Sequence, residues 1–150
     1  MTFSGARVAL FAAGLAAVAS LPVIGRTLRS GGGERCAYNG VPVRSATKVR
    51  VREAGGRVRA FCCVDCARRW FAAEGGPSGE IFVTDEATGT EVGAADAWFV
   101  TSRVTAFAPC ACHVHVFASA EDARRHAKDY DGTLLEGASR PLAPRAGGGR

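Results

Sequence analysis

The sequence of 150 residues lacks the short motifs on which several large enzyme classes depend. It has no GxSxG nucleophile elbow, no phosphate-binding P-loop and no GxGxxG dinucleotide fingerprint. Its acidic candidates, Asp85, Glu86 and Asp96, stand at predicted turns or strand ends rather than as a catalytic pair. We therefore expect a binding protein and not an enzyme.

Nucleic-acid-binding motifs are absent as well, although the formal net charge is +5. Residues 35–70 carry nine Lys/Arg against two Asp/Glu, whereas residues 71–136 carry four against eleven. An acidic second half repels phosphate, so we expect no nucleic acid as a partner. The basic segment is either an ordinary solvated face or a docking patch for an acidic partner or anionic lipid.

The N-terminal region has very little charge. Residues 8–25 form an apolar run preceded by Arg7, which fits a signal peptide or a membrane anchor over residues 1–25. No cysteine lies near the end of this run, which argues against an acylated lipoprotein. We expect residues 26–34 to be a linker, residues 35–136 the folded domain and residues 137–150 a disordered tail. The domain is then extracytoplasmic, in the periplasm or on the outer face of the cell membrane.

The folded region predicts an α+β domain. Alternating apolar and basic residues indicate strands at 47–53 and 57–61, and helical spacing follows at 64–73. Further strands are predicted at 80–84, 95–101 and 113–117, then a helix from Ser119 to about Tyr130. Phe61, Ala67 and Gly76 recur 56 residues later as Phe117, Ala123 and Gly132. This echo predicts two related strand-strand-helix units in one small domain.

The chemistry-bearing residues fall into two short stretches and one upstream position. FCCVDC covers residues 61–66, and PCACHVH covers residues 109–115. Helical spacing places two of the first three thiols on one side of a turn, and the repeat places both stretches where a strand enters a helix. The candidate metal ligands are Cys36, Cys62, Cys63, Cys66, Cys110, Cys112, His113 and His115.

Two other interpretations of the cysteines stay open. Cys63 and Cys66 would suit a thiol-disulfide redox protein, although no thioredoxin-like βαβ pattern surrounds them. Six cysteines also allow up to three disulfides in a stapled interaction module. If a metal is bound, soft ligands without a clean four-ligand zinc pattern favour Cu(I), with zinc second.

Several stretches resemble known metal-handling families. Residues 36–41 and 61–66 resemble the small TRASH/YHS heavy-metal modules. Further stretches that are similar to the NosL-like family are 82–85, 96–100, 109–110, 117–123 and 131–132. The family's CxxCGM motif falls on residues 36–41: Cys36 and Gly40 match it, whereas Asn39 replaces the second Cys and Val41 replaces the Met. The family's later Pro-Met-Gly motif falls on residues 109–111, where Cys110 replaces the Met.

The resemblance implies an extracytoplasmic copper-binding accessory protein with paired strand-strand-helix units. It implies that Cys36 and, as a changed residue, Cys110 belong to the copper site. The expected partner is a copper-dependent enzyme or a copper-transport protein. The altered motif implies a rearranged ligand set in which thiols replace the thioether.

Overall fold

The computed structural model describes residues 33–76 and 79–142. The predicted signal or anchor at 1–25 and most of the linker at 26–34 lie outside the described residues. Within the part of the chain that is described, no helix is both long and apolar enough to cross a membrane.

Seven strands and two α-helices make up the described domain, which confirms the α+β prediction. The strands are β1 Val49–Glu53, β2 Val58–Phe61, β3 Gly79–Thr84, β4 Glu91–Gly93, β5 Trp98–Thr101, β6 Val114–Phe117 and β7 Thr133–Leu134. The helices are α1 Val64–Ala73 and α2 Ala120–Asp129. Short 3-10 turns occupy Ser45–Thr47, Ala108–Cys110 and Gly137–Ser139.

The strands form two antiparallel sheets, in the order β2-β1-β3-β4 and β6-β5-β7. In the first sheet, side chains alternate along β1. Val49 and Val51 point into the core, whereas Arg50 is partly exposed and Arg52 is exposed. Val49 pairs with Phe61 on one side and Val83 on the other, so β1 is the centre of the sheet.

The internal repeat is confirmed in the fold. β2 and α1 recur as β6 and α2 at an offset of 56 residues, to the residue. The backbone N–H of Gly76 donates to Phe71 O at 2.8 Å, and that of Gly132 donates to Ala127 O at 2.8 Å, so the helices end alike. Each unit also has a third strand, β3 or β7, on the other side of its central strand.

Gly76 and Gly132, the glycines that end the two α-helices, meet different structural requirements. Gly76 has φ +124°, a conformation that residues with a side chain rarely adopt, and a Cβ there would meet open space. At Gly132 a Cβ would lie 2.8 Å from the carbonyl oxygen of Thr101. The second helix therefore approaches β5 so closely that its end leaves no room for a side chain.

The folded part extends beyond the predicted boundary at residue 136. Arg140 donates to the carbonyl oxygens of Ala94 and Ala97 at 2.8 and 2.7 Å, and also to that of Ala95. Leu142 is buried in the main core. The tail that was expected to be disordered from residue 137 thus packs on the domain as far as residue 142.

The arginines of the first sheet are paired with glutamates. Arg50 contacts Glu91 and Arg52 contacts Glu80 across the strands, while Arg59 contacts Glu53 across the β1–β2 hairpin. These pairs neutralise much of the basic segment and favour the interpretation of a solvated face over that of a docking patch.

Candidate metal centre

Four thiols meet at the start of α1. The sulfurs of Cys62, Cys63, Cys66 and Cys110 all lie within 4.8 Å of one another. Three of these sulfurs form a closed triangle: Cys62 to Cys110 at 3.3 Å, Cys62 to Cys66 at 3.5 Å and Cys66 to Cys110 at 3.5 Å. We call Cys62, Cys66 and Cys110 the thiol triangle.

The first two members of the thiol triangle follow from local chain geometry. β2 ends at Phe61, Cys62 comes next, Cys63 is the N-cap of α1 and Cys66 lies in the first helical turn. Phe61 is fully buried against Trp70 and Phe71, with ring centroids 5.4 and 6.1 Å away, and this contact fixes the helix on its strand. The sulfurs of Cys62 and Cys66 therefore lie at the N-terminal end of α1, which is the positive end of its dipole.

The third member arrives from the loop before β6. Phe107 is buried and forms an isolated bridge with Cys112, and Ala108–Cys110 makes a 3-10 turn between them. Ala111 adopts the left-handed conformation, φ 47°, which reverses the chain. This tight turn sends Cys112 into the core and leaves Cys110 half-buried at the surface, over the start of α1.

Asn39 completes the cluster from the turn at residues 36–41. Its Nδ2 lies 3.4 Å from the sulfur of Cys66 and 3.2 Å from that of Cys110, and its Oδ1 lies 4.0 Å from the sulfur of Cys62. Sequence reasoning noted Asn39 only as a departure from CxxC. Its replacement of a cysteine in a metal-binding pattern was the signal that it stands beside the thiols.

Burial and mutual contact set the proton affinities of the thiols. Burial, followed by the contact with Cys110, raises the pKa of Cys62 to about 12. Burial, followed by contacts with Cys110 and Cys62, also raises the pKa of Cys66. Burial acts in the same direction on Cys36, but the backbone N–H groups of Cys62, Asn39 and Tyr38 outweigh it and lower the pKa of that thiol.

The remaining predicted cysteines surround the thiol triangle. Cys36 is buried in the same core and contacts Cys62, while Cys112 is fully buried and contacts Cys63. All six cysteines lie in the described residues and all are free thiols. The structure therefore gathers the six into one continuous cluster without a disulfide.

The predicted histidines do not join this cluster. Both ring nitrogens of His115 are engaged, Nδ1 with Glu86 Oε2 at 2.8 Å and Nε2 with the Val104 carbonyl at 3.1 Å. His113 Nδ1 contacts the same carbonyl at 3.1 Å. Both histidines are engaged instead with the Val104 carbonyl, and His115 also with Glu86, so their nitrogens are not among the ligand atoms that lie within 4.8 Å of one another.

Comparison with known proteins adds a likeness of fold. No protein-family model matches the sequence, and no curated protein matches it. Among solved structures, the chain is similar to the crystal structure of the copper chaperone NosL from Shewanella denitrificans. The fold resembles that of a copper chaperone. The TM-score is 0.57 at 20% identity, and the match covers 69% of this chain and 86% of that chain.

The likeness of fold and the cysteine cluster agree with each other. A sequence identity of 20% shows the fold alone, so the site has to be judged from its own residues. Those residues are thiols in mutual contact beside a helix N-terminus, which is compatible with binding a soft metal ion.

Proposed function

We propose that this protein is an extracytoplasmic, copper-binding metallochaperone of the NosL-like kind, which holds Cu(I) as cargo and passes it to a partner. The observation that supports this most strongly is the thiol triangle, with sulfur separations of 3.3–3.5 Å. Thiols packed this closely at a partly exposed edge are a preformed set of soft ligands.

The number and placement of the sulfurs favour Cu(I) over Zn(II). Trigonal coordination with metal–sulfur bonds of ~2.3 Å needs sulfurs roughly 4 Å apart, so the thiol triangle has to widen by only about half an ångström. Structural zinc prefers four ligands in a tetrahedron. The fourth thiol here, Cys63, lies outside the closed triangle and also contacts Cys112, so we assign the ion to three sulfurs and not to four.

Exposure of one ligand gives a route for transfer. Cys110 is half-buried, whereas Cys62 and Cys66 are buried. An incoming thiolate or thioether from the partner can therefore replace Cys110 first and the two inner sulfurs afterwards. No chemical turnover is required, and the recipient is a copper-dependent enzyme or a copper-transport protein. The apolar segment at 1–25 either exports the domain or tethers it to the membrane beside that partner.

Copper stoichiometry tests the proposal. Reduced protein titrated with Cu(I) under anaerobic conditions is expected to bind about one equivalent, and the triple variant Cys62→Ser, Cys66→Ser, Cys110→Ser is expected to bind none. Cys112→Ser is the matched control, because Cys112 lies outside the four-thiol group and its sulfur contacts Cys63, the Asp65 backbone and the Val114 carbonyl, the last at 3.8 Å.

Elemental analysis after desalting gives the measurement for both variants. Full copper retention by the triple variant would place the site elsewhere and contradict the proposal. A parallel titration with Zn(II), in competition with Cu(I), decides between the two ions. Preferential retention of zinc would contradict the assignment of copper.

A further inference from the structure

We propose that Asn39 is the gate of the thiol triangle: its amide covers the inner sulfurs and its N–H groups hold the loaded thiolates. The covering of the inner sulfurs follows from the contacts of Asn39 alone, whereas the role of its N–H groups as donors to thiolates rests on the proposed copper site. Asn39 is exposed, while Cys62 and Cys66 have 0% and 3% relative exposure. The amide thus lies between the inner sulfurs and solvent.

The turn at residues 36–41 fixes the amide in this position. Asn39 Oδ1 accepts the backbone N–H of Val41 at 3.2 Å, which directs Nδ2 toward the sulfurs. The turn is closed by Cys36 N–H to Val41 O at 2.9 Å and Gly40 N–H to Cys36 O at 2.8 Å. Gly40, at φ +73°, takes the conformation that this closure needs.

The chemistry of an amide nitrogen makes the gate sensitive to the state of the sulfurs. Nδ2 is only a donor, and a neutral thiol sulfur is a weak acceptor. Cu(I) would be held by thiolates, with the thiol protons released to solvent, and hydrogen bonds to an ionised acceptor are about twice as strong. Asn39 therefore stabilises the loaded site more than the empty one, and a partner has to displace the amide before it reaches Cys66.

Two substitutions separate cover from donor. Asn39→Ala removes both functions. Asn39→Asp keeps an oxygen for the Val41 N–H and fills the same space, but it replaces the donor with a carboxylate oxygen facing the sulfurs. Tyr38→Ala is the matched control, because Tyr38 is an exposed neighbour on the same turn, at 45% relative exposure.

The cover is tested on reduced, metal-free, full-length protein with iodoacetamide, reading each cysteine by peptide mass spectrometry. Asn39→Ala should alkylate Cys66 at least about fivefold faster than wild type, while Asn39→Asp and Tyr38→Ala should stay within about twofold. Equal rates in Asn39→Ala and wild type would overturn the cover. Cys112 serves as an internal monitor of folding; if it also reacts, Asn39→Ser, which retains an oxygen for Val41, replaces the alanine variant.

The donor role is tested by transfer of bound Cu(I) to a chromophoric bidentate Cu(I) chelator. Loss of a hydrogen bond to a charged group should accelerate release roughly tenfold in Asn39→Ala and, with carboxylate–thiolate repulsion added, by more in Asn39→Asp, with Tyr38→Ala unchanged. Release at the wild-type rate would overturn the donor role. If the wild-type protein binds no Cu(I), the proposed function and the donor role both fail, and the alkylation rates still decide the cover.

Discussion

At the scale of single residues, His115 is a buried polar side chain with both ring nitrogens engaged. Its two nitrogens face two acceptors, the Glu86 carboxylate and the Val104 carbonyl, so the doubly protonated ring satisfies both. Burial alone would lower the pKa of His115, but Glu86 and the Val104 carbonyl outweigh it and raise that pKa above 6.5. The neighbouring ring of His126, 4.1 Å away, has its pKa lowered by burial and then by His115.

This ion pair predicts a pH dependence of stability. A histidine with a raised pKa in the folded state contributes its full stabilisation below the unfolded value of about 6.5 and loses it as pH rises through the folded value. Glu86→Gln should lower the free energy of unfolding by about 2 kcal/mol at pH 6 and by less at pH 9. Urea unfolding of both proteins with reductant present gives the measurement; an equal loss at both pH values would contradict a charged His115.

Residue spacing predicted part of the site and could not predict the rest. Helical spacing in FCCVDC predicted the contact of Cys62 with Cys66, although Cys62 itself lies just before α1. The contacts of Cys110 with Asn39 and of His115 with Glu86 join positions 71 and 29 residues apart, and no periodicity encodes them. His113 and His115 were predicted as ligands because they adjoin cysteines, but their contacts with Glu86 and the Val104 carbonyl come from loops that no spacing in PCACHVH encodes.

At the scale of elements, the two copies of the repeat use the same N-cap position differently. Ser119 caps α2, since its Oγ accepts the backbone N–H of Asp122 at 3.1 Å. Cys63, 56 residues earlier, caps α1 without a side-chain hydrogen bond. The first unit has a thiol where the second has a stabilising cap, as expected if α1 serves the site and α2 the fold.

Ser119→Ala should therefore weaken the domain without changing metal binding. Loss of an N-cap costs about 1 kcal/mol, since the N–H of Asp122 loses its acceptor. Chemical denaturation of the reduced protein measures the cost, with Ser119→Thr as a control that keeps the hydroxyl. Unchanged stability in Ser119→Ala would show that solvent replaces the cap, and a changed copper stoichiometry would show that α2 supports the site.

Element boundaries were predictable where the side-chain pattern is periodic. The repeat gave both helices and their preceding strands because apolar positions and terminal glycines recur at one offset. β4 is only three residues long and carries too little alternation to be recognised. It exists because β3 offers a free edge, which is a property of the sheet and not of the segment Glu91–Gly93.

At the scale of the whole molecule, charge that is segregated in sequence is mixed in space. The basic β1–β2 hairpin meets Glu80 and Glu91 from the acidic half because β1 pairs with β3 and β3 pairs with β4. Sheet formation thus brings opposite charges together and weakens any long-range field from the hairpin. Recognition of a partner is then expected to depend on the surroundings of Cys110 and Asn39 more than on net charge.

Residues 137–142 stabilise the segment that connects the two sheets. Arg140 donates to the carbonyl oxygens of Ala94, Ala95 and Ala97, which lie in the segment between β4 and β5, and its guanidinium lies 5.7 Å from the ring centroid of Phe99. Composition alone indicated disorder, because a Pro- and Gly-rich stretch contains little apolar surface. The hydrogen bonds from the Arg140 guanidinium to three backbone carbonyl oxygens hold this stretch on the domain although it buries little apolar surface.

Arg140→Ala should lower the free energy of unfolding by about 2 kcal/mol, because three carbonyl oxygens lose a charged donor. Arg140→Lys is the matched control; it keeps the charge but loses the planar guanidinium that lies against the Phe99 ring, so an intermediate loss is expected. Denaturant titration measures the stability, and hydrogen exchange of residues 94–99 locates the effect. Equal stability of Arg140→Ala and wild type would mean that the contacts of Arg140 do not stabilise the fold, whereas loosening confined to 94–99 would identify Arg140 as the clamp between the two halves of the repeat.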